Sequence, residues 1–342
     1  MRKVDVFNHI FPITYWDKML ELVGDFEDMG KRVRSVPMLM DMDERFRVMD
    51  MFGDYEQILS LTSPPLEVLF DTGTAPEMAR IANDGMAEIC QKYPVRFPGY
   101  VASLPMNNPD EAVEETARVM DGSGALGIQI FTNVAGRALD NPKYFPIFQK
   151  ASDLDIPIWM HPARGSDMAD YKDEDKSKYE IWWTLGWPYE TSVAQARMVF
   201  SGMMDKLENF KLITHHLGGL SPFHSGRTGP GWQFLGDRTS GAAGDEYRAA
   251  KDGLKKPHAE YFKDFYADTA VFGSREATVC GIEYYPRDRV LFASDAPFDP
   301  EKGPMYIRET IKIIDGLDID DEWREDLYWR NAAKIMNLPA RA

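Results

Sequence analysis

Cysteine is nearly missing from this chain. Cys90 and Cys280 are the only two in 342 residues, far apart and outside any CxxC pair. That excludes a disulfide framework or a thiolate zinc site and fits a reducing cytoplasm. Positive charge is also scarce, with 39 Lys and Arg against 55 Asp and Glu and a formal net charge of −16. A phosphate backbone needs a basic face, so no nucleic-acid partner is expected. Long apolar runs are lacking too: no stretch approaches the roughly 18 residues of a membrane helix. Arg2, Lys3, Asp5 and Asn8 interrupt the start, where a leader would be apolar. The expected protein is soluble and cytoplasmic, with no membrane partner.

What is present suits a large folded core, since 44% of the residues are hydrophobic and 12% aromatic. Short apolar runs at 3–9, 57–61, 97–104, 125–131, 157–161, 210–216, 265–270 and 290–294 read as eight strands. Nearly all alternate with helical segments. The helix over 75–93 carries Met78, Ala82, Met86, Ile89 and Cys90 on one face, and Asn108-Pro109 opens another through Met120. Residues 13–43 read as a helix and an irregular excursion, with charged clusters at Asp25, Glu27 and Asp28 and at Lys31-Arg32. Helices are also expected near 43–52, 141–151, 189–204, 275–282, 305–317 and 322–336.

Strands buried on both faces and alternating with helices predict a single α/β domain over 1–342, a (β/α)8 TIM barrel. A doubly wound open sheet is the alternative, but no GxGxxG follows the first strand. Two insertions follow strand ends and should lie over the C-terminal face. Residues 162–188 carry a charged run, Trp182-Trp183 and Gly186-Trp187-Pro188; residues 217–262 are Gly-rich and polar, without strand periodicity. Their aromatics favour a lid.

The six histidines are informative by position. His9 ends strand one, His161 ends strand five, and His215 and His216 end strand six. His224 and His258 lie in the second insertion, and Asp295 ends strand eight. A closed barrel brings such strand ends to one rim. Imidazoles and a carboxylate are the ligand set of Zn²⁺ or a similar ion with an open position. Unrelated histidines capping strands are the other reading; four strand ends together favour the metal.

The strand-one ending, His161-Pro162, the run from His216 through Gly218-Gly219 to Pro222-Phe223, and Ser294-Asp295 resemble the amidohydrolase superfamily. The resemblance covers essentially the whole chain. It is closest to the decarboxylase branch that includes aminocarboxymuconate-semialdehyde decarboxylase and γ-resorcylate decarboxylase. It implies a divalent cofactor, Zn²⁺ or Mn²⁺, held by His9, His161 and Asp295. It also implies His216 as acid/base, with Asp295 helping to orient water, and a homo-oligomer. His215 should then face the opposite side of its strand. One position departs from the pattern. The branch has His-x-His or Glu-x-His on strand one, and here the first ligand place is Phe7, which cannot coordinate.

The implied reaction is decarboxylation of an aromatic or unsaturated carboxylic acid. A hydrolase or hydratase acting on a ring, lactone or ester carboxylic acid is the alternative on the same scaffold. A ligand-binding protein that has lost its metal is the non-catalytic one. Arg47 and Arg164, with Arg227 behind them, are candidates to grip the substrate carboxylate. Trp187 and Tyr189 either line the pocket or pack at the start of a helix.

Overall fold

A computed structural model of the chain describes residues 1–24 and 29–338. The charged positions Asp25, Glu27 and Asp28 lie outside the described residues. Eight parallel strands form one nearly closed sheet: β1 Lys3–Ile10, β2 Tyr55–Leu61, β3 Tyr100–Ser103, β4 Ala125–Phe131, β5 Ile158–His161, β6 Leu212–Thr214, β7 Tyr266–Asp268 and β8 Val290–Leu291. Neighbours in the sheet follow chain order, as a TIM barrel requires. The seam between β8 and β1 is held by the backbone that follows β8. Val6 N donates to Phe292 O at 3.0 Å, Asp295 N to Phe7 O at 3.1 Å, and His9 N to Ala296 O at 2.7 Å.

The barrel is filled by Val4, Val6, Phe7, Ile58, Val101, Trp159, Ile213, Leu291 and Ala293, all buried. Trp159 anchors this interior, its indole N–H donating to Val6 O at 3.0 Å. Strict alternation would not send both Val6 and Phe7 inward. A register irregularity between Asp5 and Asn8 does so, shifting the inward series from Val4 and Val6 to Phe7 and His9.

Helices cover the outside. Local capping sets several starts: the Asp41 carboxylate accepts from Asp43 N and Glu44 N ahead of Met42–Met49. Asn108 caps Pro109–Met120. The long helix Ala75–Lys92 and the closing Pro304–Asp315 follow the apolar stripes of the sequence. The expected last helix is divided into Asp321–Glu325, a π turn over Asp326–Arg330, and Asn331–Met336.

Strands six to eight end earlier than expected. Their last predicted residues leave the sheet for rim turns, and His216 and Asp295 adopt left-handed backbone, φ +57° and +63°. The second insertion is also more ordered than its composition suggests. It contains helices Ser225–Trp232, Ala242–Asp252 and His258–Tyr261. Trp232 pins the first of them against Phe200, His258 and Phe262, so tertiary packing overrides weak local propensity.

Candidate metal centre and active site

His9, His161 and Asp295 meet at the rim, their ligand atoms all within 4.8 Å of one another. All three are buried. The seam hydrogen bonds described above bring β1 against residues 292–296, and so bring His9 Nε2 to 2.8 Å from Asp295 Oδ1. The end of β1 is fixed from behind by Arg45, which is fully buried. Its guanidinium donates to His9 O, to Asn8 Oδ1 at 3.0 Å, to Gln57 Oε1 at 2.7 Å and to Met38 O at 3.2 Å.

His161 is prepared as a ligand. Its Nδ1 contacts Pro162 O at 2.7 Å. A carbonyl only accepts, so Nδ1 carries the proton and Nε2 keeps a free lone pair. Burial pushes its imidazole well below the ordinary value, reinforced by His215 and His9, which keeps it neutral. For Asp295 burial acts upward, but His216 and His9 outweigh it and hold the carboxyl well below the usual range. A neutral imidazole, a second imidazole and an ionised carboxylate within one small sphere fit a divalent cation. Phe7 stands where it offers no donor, its ring centroid 4.8 Å from that of His9 and 5.6 Å from that of His161.

His216 follows β6 and reaches the same place, with Nε2 at 3.6 Å from Asp295 Oδ2. Both of its ring nitrogens are buried without a hydrogen-bond partner among the described residues. Burial alone would lower its pKa, yet the carboxylates of Asp295 and Asp268 prevail and raise it. His215 does not face away from the barrel as its strand position suggests. It lies inside, its ring tilted 40° against that of Phe7 with centroids 3.7 Å apart, and its Nδ1 meets Asp268 Oδ2. The left-handed turn at His216 lets adjacent histidines both point inward.

The cleft at these groups is walled by Arg32, Ser63, Trp183, Trp187, Phe272, Phe298 and Tyr306. Ser63 and Trp187 also line a larger neighbouring cavity of about 580 Å³. Trp187 is therefore at the site, 5.2 Å from His161 between ring centroids. Tyr189 is not: it is half exposed and lines neither cavity, because the helix Gly186–Phe200 turns it outward. Arg47 is on the surface in an ion pair with Glu44, on the opposite side of its helix from buried Arg45. Arg164 lines the larger cavity, but its guanidinium is engaged with Glu190 at 3.0 Å. Arg227 lines neither cavity.

The cation at the cleft is Arg32, which in the sequence stands only within a charged cluster. It is half-buried between the rings of Trp183 and Phe298, 5.1 Å from each, and donates to Phe298 O at 3.0 Å. No carboxylate among the described residues is within ion-pair distance of it. Nothing in its local pattern marks it, since its place depends on the fold bringing Met29–Arg34 beside residues 295–298. Trp183 carried a usable signal in the aromatic run of the first insertion.

The fold and rim define a parallel barrel with three candidate ligands for a cation brought together at one end. The chain belongs to the amidohydrolase family, whose sequence profile matches residues 40–338. It is 29% identical over 308 residues to a γ-resorcylate decarboxylase of Polaromonas sp. strain JS666, covering 88% of this chain and 89% of that protein. It is 29% identical over 303 residues to 2-amino-3-carboxymuconate-6-semialdehyde decarboxylase of Dictyostelium discoideum, covering 86% and 77%. A Polaromonas dihydroxybenzoic acid decarboxylase structure, with bound manganese and the inhibitor 2-nitroresorcinol, superposes with a TM-score of 0.79 at 26% identity, covering 99% and 98%.

Proposed function

We propose that this protein is a divalent-metal-dependent decarboxylase of an aromatic carboxylic acid. The observation that carries the reading is the position of His216: a buried, unpartnered imidazole facing Asp295 beside the ligand set and the cleft of Arg32 and aromatic rings. His9, His161 and Asp295 would hold the metal, with Mn²⁺, the ion in the Polaromonas structure, to be tried before Zn²⁺. When bound, the ion supplies positive charge for the substrate's carboxylate or adjoining hydroxyl.

The protein's own groups do the rest. Arg32 supplies a second cation for an anionic substituent, and Trp183, Trp187 and Phe298 offer flat faces to a ring. His216, its pKa raised by the carboxylates around it, is the group placed to deliver a proton from Nε2 to the ring carbon bearing the carboxylate. The C–C bond then breaks, its electron pair restores the aromatic ring, and CO₂ leaves. Burial of His216 keeps bulk water from competing for that proton.

The test is CO₂ release from 2,6-dihydroxybenzoate and 5-carboxyvanillate by protein loaded with Mn²⁺ or Zn²⁺, with aryl esters and lactones as counter-substrates. Metal-dependent CO₂ release supports the reading. Ester or lactone opening without CO₂ release would replace it with hydrolysis.

A further inference from the structure

The turn that carries His216 is strained. His216 and Leu217 take φ +57° and +50°, and Gly218 and Gly219 continue at +75° and +65°. Left-handed backbone is costly for a residue with a Cβ, so two in succession persist only if something outside the turn holds them. Space alone does not account for it. A Cβ at Gly218 would lie 2.0 Å from Tyr285 Oη, so the turn is already pressed against its neighbours.

What holds it is a fully buried carboxylate at the end of β7. Asp268 Oδ1 accepts the backbone N–H of His216 at 3.0 Å and that of Ala270 at 3.1 Å. Its Oδ2 accepts Nδ1–H of His215, whose ring packs at a tilt against Phe7. Asp268 does not line the cleft and has no exposure to solvent, so it touches neither a substrate nor the three ligand residues.

We propose that Asp268 is the positioning residue for His216: its carboxylate fixes the left-handed His216 backbone directly and, through His215, ties the turn to Phe7 on β1. This rests on the acid role assigned to His216 above. Charge-assisted hydrogen bonds from a buried carboxylate are the strong kind, and three donors converge on this one. The arrangement also gives Phe7 a purpose of its own. A ring that cannot bind a metal supplies the apolar surface against which His215 packs.

The test is Asp268→Asn in the metal-loaded protein. Misplacing a catalytic group by about 1 Å costs about 100-fold in rate, so kcat is expected to fall by about that factor. KM and bound metal are expected to stay within about twofold, because neither depends on where His216 points. His215→Asn keeps a donor toward Asp268 and leaves its grip on the His216 N–H intact, so its kcat loss should be clearly smaller. Asp268→Glu, which retains the charge but displaces it, replaces the amide variant if that variant does not fold.

A second readout needs no turnover. In 15N-histidine spectra of Asp268→Asn, the His216 imidazole signals should shift or broaden while those of His9 and His161 stay in place. An unchanged kcat, an unchanged His216 signal, loss of metal together with activity, or a larger loss in His215→Asn would each overturn the proposal. Absence of CO₂ release by the unaltered protein would sink the decarboxylase reading instead, and the spectra would then decide the role of Asp268 alone.

Discussion

Asp5 and Asp295 are equally deep in the barrel, 0% and 4% exposed, and are linked through a single residue, yet they are opposite kinds of carboxylate. Asp5 faces only neutral donors. Its oxygens accept from Phe7 N at 3.2 Å, Ser294 N at 3.1 Å, Ser294 Oγ and Tyr55 Oη. Burial pushes its carboxyl up to about 7, with those hydrogen bonds opposing the rise. Asp295, next to Ser294, faces His9 and His216, and they hold it well below the ordinary range. The lesson is that depth alone does not decide what a buried carboxylate does. Neutral donors make a strut of it, whereas imidazoles make it a charged half of a reactive site.

Four substitutions probe that contrast, from the largest expected effect downward. Asp295→Asn removes a ligand and the partner of His216, so kcat should fall by about 1,000-fold or more and bound metal should drop. Activity and metal measured on the same sample check this, and retention of both would erase the distinction. Arg32→Gln should raise KM by roughly 10- to 100-fold, the worth of one charge-assisted hydrogen bond, with metal content unchanged. Steady-state kinetics with an aromatic acid decide it, and a pure kcat loss would place Arg32 elsewhere in the reaction.

Phe7→Glu places a second carboxylate, a fourth donor in all, beside His9, His161 and Asp295. Metal affinity should tighten by about tenfold, read by competition with a chelator. The same change removes the ring against which His215 packs, so kcat is expected to fall even as the metal binds better. Unaltered affinity would show that the ring does not border the ligand sphere.

Asp5→Asn belongs to the other half of the comparison. It should leave metal and KM unchanged and cost about 1–3 kcal/mol of stability by placing a donor among donors. The sign with pH follows from the raised folded value. Between 3.8 and about 7 the folded protein holds a proton on Asp5 that the unfolded chain has lost. The contribution of Asp5 is therefore full below that window and declines across it. Melting curves should show the gap between wild type and Asp5→Asn closing as pH rises from about 4 to about 7. A gap that widens would reverse the assignment of Asp5.

The barrel was legible in the sequence because its strands are β-branched and apolar, with helices between them whose stripes have the right period. The clustering of His9 and His161 with Asp295 was legible because each one ends such a strand. Backbone sign was not. His216 and Asp295 leave their strands through left-handed turns, and alternation along a strand therefore misplaces His215. Arginine roles were not legible either. Arg45 and Arg47 sit two residues apart in one helix, and only packing shows that the first is buried under His9 while the second pairs with Glu44 in solvent. Arg32 reaches the cleft across 266 residues of chain, through its bond to Phe298.

The seam of the barrel has a consequence for how the protein comes into being. His9 and Asp295 are 286 positions apart, and they meet only where the first strand is zipped to the segment after the last. A chain emerging from the ribosome therefore carries most of its ligand imidazoles long before it owns a site. Contacts of such sequence separation form late, after the loops they close have been ordered by local structure. Metal capture at the proposed site would thus report that folding has finished, and a divalent ion in the medium would reward only the last step of closure.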